Sequence, residues 1–138
     1  MSYKYLEHTA DVGIECSGNS LEEAFSEGAK ALFNVMVDLS QVEALELITF
    51  DVEAESIESL FVEFLNHLIA LKDINDAVYS EFNVQIKKEG NLYHLDCVAK
   101  GEILDQQKHK IRTEVKSATY YGLKYDPEKK TLTVVLDV

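Results

Sequence analysis

Apolar residues recur with the spacing of an α-helix in two stretches of the chain. The first opens at Ser20, whose hydroxyl can cap the amide of Glu23 in a capping box, and the second opens after Ser56 and ends near Asp73. The residues on one face of the first stretch are Leu21, Ala24, Phe25, Gly28, Leu32, Val35 and Met36. Those of the second are Ile57, Leu60, Phe61, Phe64, Leu65, Leu68 and Leu71. The sequence therefore predicts two amphipathic helices.

Apolar and polar residues alternate elsewhere with the period of a β-strand. Four short segments show this alternation, namely 12–16, 48–54, 82–86 and 93–99. A glycine turn at 88–91 predicts that the last two of them form a hairpin. A second turn at 126–129, which contains the single proline, separates the β-branched and aromatic segment 115–125 from the mainly apolar segment 131–138. A second hairpin is predicted there.

Strands before, between and after two helices are typical of an α+β fold. We therefore predict a single domain over residues 1–138, with both helices packed on a largely antiparallel β-sheet and the C-terminus inside a strand. A chain of 138 residues is long enough to bury a hydrophobic core. Residues 100–114 show the weakest periodicity and are predicted to form a surface loop.

The charge of the chain limits its direct partners. Thirteen Lys and Arg against 25 Asp and Glu give a net charge of −12, which repels nucleic-acid backbones and anionic lipids. No run of about 18 apolar residues and no signal-peptide pattern occurs, so we expect a cytoplasmic protein that is not bound to a membrane. Cys16 and Cys97 stand singly in strand-like segments, which predicts two buried free thiols.

The densest polar cluster is Glu-His-Thr-Ala-Asp-Val-Gly at 7–13, directly ahead of a predicted strand. One interpretation is a turn in which Thr9 and Asp11 satisfy local amides. Another becomes available if this segment lies beside the last predicted strand. Asp11, Asp137 and the carboxylate of Val138 would then present hard oxygen ligands suited to Ca²⁺ or Mg²⁺ and not to Zn²⁺. If the terminus frays instead, these carboxylates are simply solvated.

The sequence lacks the common motifs of a self-sufficient enzyme. The four histidines, His8, His67, His94 and His109, have no metal-binding spacing. The glycine-rich motifs of nucleotide-binding proteins and the nucleophile elbow of hydrolases are also absent from the sequence. One basic cluster consists of Lys108, His109, Lys110 and Arg112, with Lys116 nearby. These residues form a solvated loop or contact a phosphate or an acidic partner.

Five short motifs support a resemblance to a known family. They are Glu-His-Thr-Ala-Asp-Val-Gly-Ile at 7–14, Ser-Leu-Glu-Glu-Ala-Phe at 20–25, Phe-Leu-Asn at 64–66, Glu-Val-Lys at 114–116 followed by Thr-Tyr at 119–120, and Val-Leu-Asp-Val at 135–138. In these motifs, and in their order, the chain resembles the archease family over essentially its whole length.

The resemblance implies a non-catalytic accessory protein. Archeases activate the RtcB-type tRNA-splicing RNA ligase, in that they promote its guanylylation and multiple turnover and can broaden its nucleotide use. The family's divalent metal site, described with calcium, corresponds here to Asp11, Asp137 and Val138, and Mg²⁺ or Mn²⁺ are alternative ions. Any contact with RNA would run through the ligase.

A family lysine important for activation corresponds to Lys116, and Glu7 and His8 are further candidates for contact with the ligase. Many members have histidines where this chain has Thr113 and Tyr121, so partner contacts could differ at those two positions.

Two other functions stay open. One is a binding module or chaperone for RNA-processing or RNA-modifying proteins, in which metal plays no part. The other is a small metal-dependent hydrolase, in which Glu7 or His8 would act as general base toward a metal-bound water.

Overall fold

Both predicted helices are present in the computed structural model, which describes residues 1–7 and 11–138. Helix α1 spans Leu21–Met36 and α2 spans Ile57–Asn75. Ser20 Oγ accepts a hydrogen bond from the Glu23 amide at 3.1 Å, but the Glu23 carboxylate accepts from the amide of Asn19, one residue before the expected capping-box donor. At the start of α2, Ser56 and Ser59 make the reciprocal capping contacts.

The strands within the described residues form two antiparallel sheets, where the sequence predicted one. Their bounds are β1 Ser2–Glu7, β2 Asp11–Ser17, β3 Glu46–Ala54, β4 Ala77–Glu89, β5 Leu92–Ile103, β6 Ser117–Asp126 and β7 Thr131–Asp137. One sheet has the order β1-β2-β7-β6 and the other the order β3-β5-β4. The predicted hairpins β4–β5 and β6–β7 are confirmed, and all strand pairs are antiparallel. The α+β class is thus confirmed.

The prediction of a surface loop at 100–114 is wrong in part, since only 104–105 and 110–114 lie outside helices and strands. Strand β5 continues to Ile103, and a single helical turn, α3, spans Gln106–His109. The Asp105 carboxylate caps this turn by accepting from the amides of Gln107 and Lys108, and the side chain of His109 is fully buried. One turn of helix is too short to produce a periodic pattern, so it could not be predicted from periodicity.

The core lies where the two helices meet both sheets. Helix α1 packs on β4 and β2, and α2 packs on β6 and β3. Phe25, Phe61 and Phe64 pack together at its centre, with ring centroids 5.0 and 5.6 Å apart. Gly28 makes this approach possible, because a Cβ there would lie 2.6 Å from the Phe61 ring. In the described ranges, no helix combines the length and apolar content needed to cross a membrane.

Candidate functional site

Two aspartates from opposite ends of the described chain lie side by side. Asp11 is the first residue of β2, Asp137 is the last residue of β7, and they are direct partners in the antiparallel register. Directly opposed residues share one face of a sheet, with Cβ atoms about 4.5–5.5 Å apart. The structure therefore brings together the two carboxylates that the sequence analysis selected.

The register of β2 and β7 is set by their core-facing residues. Ile14 and Cys16 are fully buried opposite Val134 and Leu132. A slip of one residue would turn this apolar row toward solvent, so burial fixes the pairing. Since Asp11 and Asp137 alternate with the buried row, they are held on the other face of the sheet.

Strand β6 lies on the other side of β7 from β2, next to the paired aspartates. Ser117 pairs with Asp137 on the side away from Asp11, and the Lys116 amide donates a hydrogen bond of 2.8 Å to the Asp137 carbonyl. Lys116 is exposed. The lysine implied by the resemblance thus lies next to the paired aspartates along the backbone.

Asn66 anchors this end of β6 to helix α2. Its Oδ1 accepts from the Ala118 amide at 2.8 Å, and its Nδ2 donates to the Ala118 carbonyl at 3.1 Å. Both polar groups of one strand residue are therefore satisfied by one side chain. No role was predicted for Asn66, although a polar amide among the apolar residues of α2 was a signal for one.

The paired carboxylates create a concentrated negative charge. At the Cβ spacing of about 5 Å that is typical of opposed strand residues, two like charges would repel each other by about 1–3 kcal/mol at effective dielectric constants of about 20–80. Over residues 1–7 and 11–138, neither Asp11 nor Asp137 forms an ion pair with a basic side chain. This pair is therefore suited to a cation.

The described residues do not supply a complete metal site from side chains alone. Among them, no group of three His, Cys, Asp or Glu side chains is arranged to hold a metal ion. Val138 is half-buried against the core directly after Asp137. The backbone of Glu7 pairs with Val12 in β1–β2, whereas His8 lies outside the described residues.

Two members of the basic cluster, Lys108 and His109, contact acidic side chains within the protein. Lys108 contacts Glu102 at 2.9 Å and Glu43 at 3.0 Å, and His109 Nε2 lies 2.9 Å from Glu102. Because the Asp105 amide donates to His109 Nδ1, the ring proton is on Nε2 and is donated to Glu102. Glu43, Glu102, Lys108 and His109 thus form a clasp that holds α3 against β5, which disfavours a phosphate site there.

The charges of the clasp are reflected in its pKa values. Burial raises the pKa of Glu102, but hydrogen bonds from the Glu43 amide, His109 and Lys108 outweigh it and bring the pKa to about 2. The same contacts with Glu102 and Glu43 raise the pKa of Lys108. The clasp is a structural element, since each group in it is already paired.

Comparison with known proteins decides the family. The model of the Archease protein family (MTH1598/TM1083) matches residues 3–138. The chain belongs to the archease family. The archease of Pyrococcus abyssi is 44% identical over 90% of this chain and 87% of its own length. That of Sulfurisphaera tokodaii is 37% identical over 99% of this chain and 98% of its own length. The resemblance inferred from motifs is confirmed.

Two solved structures share the archease fold. The solution structure of Methanobacterium thermoautotrophicum protein 1598 aligns with a TM-score of 0.84 at 31% identity, covering 99% of both chains. The crystal structure of an archease from Thermotoga maritima, described as a possible chaperone, aligns with a TM-score of 0.50 at 26% identity, covering 98% of this chain and 96% of that one. Both likenesses extend over nearly the whole chain and agree with the α+β class.

Proposed function

We propose that this archease is a non-catalytic activator of an RtcB-type RNA ligase. In this proposal it promotes guanylylation and multiple turnover of the ligase and broadens its nucleotide use. The observation that supports it is the direct pairing of Asp11 with Asp137, with Lys116 bonded to the same strand end. A pair of adjacent carboxylates of this kind is suited to contact with an active site that depends on a cation.

The proposal includes a divalent cation at the paired aspartates. Asp11, Asp137 and the carboxylate of Val138 would hold it, and an all-oxygen donor set favours Ca²⁺, with Mg²⁺ or Mn²⁺ as alternatives. The repulsion between the two aspartates supports this choice, because a cation would convert it into attraction. The cation would supply positive charge at a point where the rest of the protein is acidic.

Charge complementarity supports a ligase as the partner. A protein that grips RNA carries basic surface, and a partner with a net charge of −12 would be steered toward it in the cytoplasm. RNA itself would be reached only through the ligase. Lys116, Glu7 and His8 are proposed to contact the ligase around the cation.

The test measures ligase guanylylation by GTP and multiple-turnover joining of RNA ends. Wild type is compared with Asp11→Asn and Asp137→Asn, and Asp73→Asn serves as the control because it removes one exposed carboxylate at the end of α2. We expect wild type and the control to stimulate both steps and the two site variants to lose stimulation. Circular dichroism and urea unfolding check that all variants fold.

Calcium titration of the protein alone separates metal binding from ligase activation. Heat of binding with wild type and the control, and none with either site variant, is the expected result. Full stimulation by both site variants would rule out the metal site, and no stimulation by wild type would rule out ligase activation.

A second candidate function is a chaperone or binding module that works without metal. It is favoured by one observation, since the Thermotoga maritima relative is described as a possible chaperone. Its partners would be RNA-processing or RNA-modifying proteins. Protection of such a protein from aggregation that is unchanged by a chelator and by Asp137→Asn would favour this candidate.

A further inference from the structure

Strand β3 forms a long and regular edge of the three-stranded sheet. It is the first strand in the order β3-β5-β4, and its pairing with β5 runs through nine consecutive residues, Glu46–Ala54. In the part of the chain that the structure describes, no strand pairs with its other side. A regular edge of this kind presents unpaired backbone groups to another chain.

The other long edge strands are protected by irregular pairing. Strand β4 has a register shift between Tyr79 and Glu81, and β6 has one between Thr119 and Lys124. Strand β1, the remaining edge, is shorter, with 6 residues, and carries Lys4. Bulges, short strands and lysines are the usual protections of an edge. The open β3 edge is therefore a local feature and not a general property of these sheets.

The apolar row of β3 is incompletely covered. Ile48, Phe50 and Val52 are only half-buried, although their direct partners on β5, Ala99, Cys97 and Leu95, are fully buried. An added strand would cover the exposed part of this row, since residues of neighbouring strands in register pack against each other.

Two large aliphatic side chains stand beside the start of the same edge. Leu45 is 67% exposed and Leu47 is 61% exposed. Leu45 lines a groove of about 650 Å³ together with Leu104, and Leu47 lines another of about 290 Å³ together with Tyr79, while Ile103 borders both. Both grooves extend from the start of β3 toward β5, so the two leucines are the exposed apolar side chains at this end of the edge.

The negative charge of β3 favours a basic segment over a second copy of this chain as the added strand. Glu46, Asp51 and Glu53 are exposed along the strand. A second copy would bring the same acidic strand and a further net charge of −12, and like charges opposed across strands are destabilising. A segment rich in Lys and Arg would instead be attracted to these exposed carboxylates, two of which, Asp51 and Glu53, lie 3.7 and 3.0 Å from the ring nitrogens of His94 on β5.

We propose that the β3 edge binds an extended, Lys- and Arg-rich segment of a partner protein as an additional β-strand. The backbone of β3 supplies the hydrogen bonds, its half-buried apolar row supplies the contact area, and its carboxylates select basic residues. This surface is separate from the paired aspartates, and the proposal does not depend on the partner being a ligase.

The test uses synthetic peptides as probes, each as long as the 9 residues of β3. The first alternates Lys with Val, the second alternates Glu with Val, and the third is the Lys peptide with its central amide N-methylated. N-methylation keeps the charge but blocks strand pairing. Binding is measured by calorimetry, and hydrogen exchange of the backbone amides locates it on the protein.

Two matched protein variants test the location. Thr49→Lys places a lysine on the β3 edge, and Gln85→Lys makes the same change of charge on the same face of the sheet at β4. We expect the Lys peptide to bind and to slow exchange within 45–54. Thr49→Lys should weaken binding by about fivefold or more, and Gln85→Lys should change it by less than about twofold.

Several results would overturn the proposal. Equal binding of the N-methylated peptide, or equal loss with both lysine variants, would mean that only general electrostatic attraction is present. Slowed exchange outside 45–54 would place the site elsewhere. Self-association of wild type that is abolished by Thr49→Lys would identify a second copy as the occupant.

Discussion

Replacement of Glu102 by Gln tests the clasp that holds α3 against β5. The amide has nearly the shape of the carboxylate, and its oxygen can take the place of Oε2 and accept from both the Glu43 amide and His109. Its NH2 group then stands opposite the Lys108 ammonium, so the change removes the negative charge together with the hydrogen bond from Lys108. Loss of stability then measures the charged contact with Lys108 of a group whose side chain is only 12% exposed.

The expected loss follows from the shift in the pKa of Glu102. Its pKa is about 2 in the folded protein against an ordinary value of 4.5. At about 1.4 kcal/mol for each pKa unit, the shift corresponds to about 3 kcal/mol at neutral pH. Because Lys108 is 34% exposed and solvent screens its charge, we expect a loss of about 2 kcal/mol.

The pH dependence gives this prediction its sign. Because the pKa of Glu102 is lowered in the folded state, its charge adds fully to the free energy of unfolding above the ordinary pKa of 4.5. This stabilisation is lost as the pH falls through about 2. The difference in unfolding free energy between wild type and Glu102→Gln should therefore fall by more than half between about pH 5 and about pH 3.

Urea unfolding followed by circular dichroism provides the measurement. Glu46→Gln is the control, because it removes an exposed carboxylate from the neighbouring strand and should cost less than about 0.5 kcal/mol. A loss for Glu102→Gln no larger than that of the control, or one that does not change with pH, would refute the reasoning about the clasp.

Three further predictions concern the core and the anchor of β6. Asn66→Ala leaves a buried amide and carbonyl of β6 unpaired and should lower the free energy of unfolding by about 2 kcal/mol, while Asn83→Ala on an exposed strand position should not. Gly28→Ala should lower the free energy of unfolding by about 1–2 kcal/mol, because the added methyl group would lie 2.6 Å from the buried Phe61 ring and this overlap outweighs the gain of about 1 kcal/mol in helix propensity. A more stable variant would contradict this. Burial raises the pKa of Cys16 and of Cys97 to about 12, so both thiols should react with a disulfide reagent near pH 8 only after unfolding, and fast reaction in the folded protein would disprove it.

Local features of the fold could be predicted because their causes are local. Serines at 20 and 56 satisfy helix amides within three residues, and alternation over a few residues marks each hairpin. The division of the strands into two sheets could not be predicted, because β2 pairs with β7, a strand more than 100 residues away in the sequence. His109 was assigned to a basic loop, and its burial could not be foreseen because its partner Glu102 lies across a single turn of helix that leaves no periodic pattern.

The candidate site was predictable in its residues and not in its geometry. Asp11 and Asp137 were selected as carboxylates next to apolar strand positions, which the sequence displays. Their direct pairing depends on the register of β2 and β7, and that register is set by buried residues such as Ile14 and Val134. The role of Asn66 as an anchor depends on the β6 backbone and could be located only in three dimensions.

The central place of β7 in the four-stranded sheet has a consequence for folding. Strand β7 lies between β2 and β6, so the first hairpin, β1–β2, stays unconnected to the rest of its sheet until residues 131–137 are synthesised. The β4–β5 hairpin needs no such distant partner and can assemble earlier with α1, which packs on β4 and β2. Helix α2 packs on β6 as well as on β3, so we expect vectorial synthesis to leave its β6-facing side temporarily uncovered, with closure of the domain as a late and slow step.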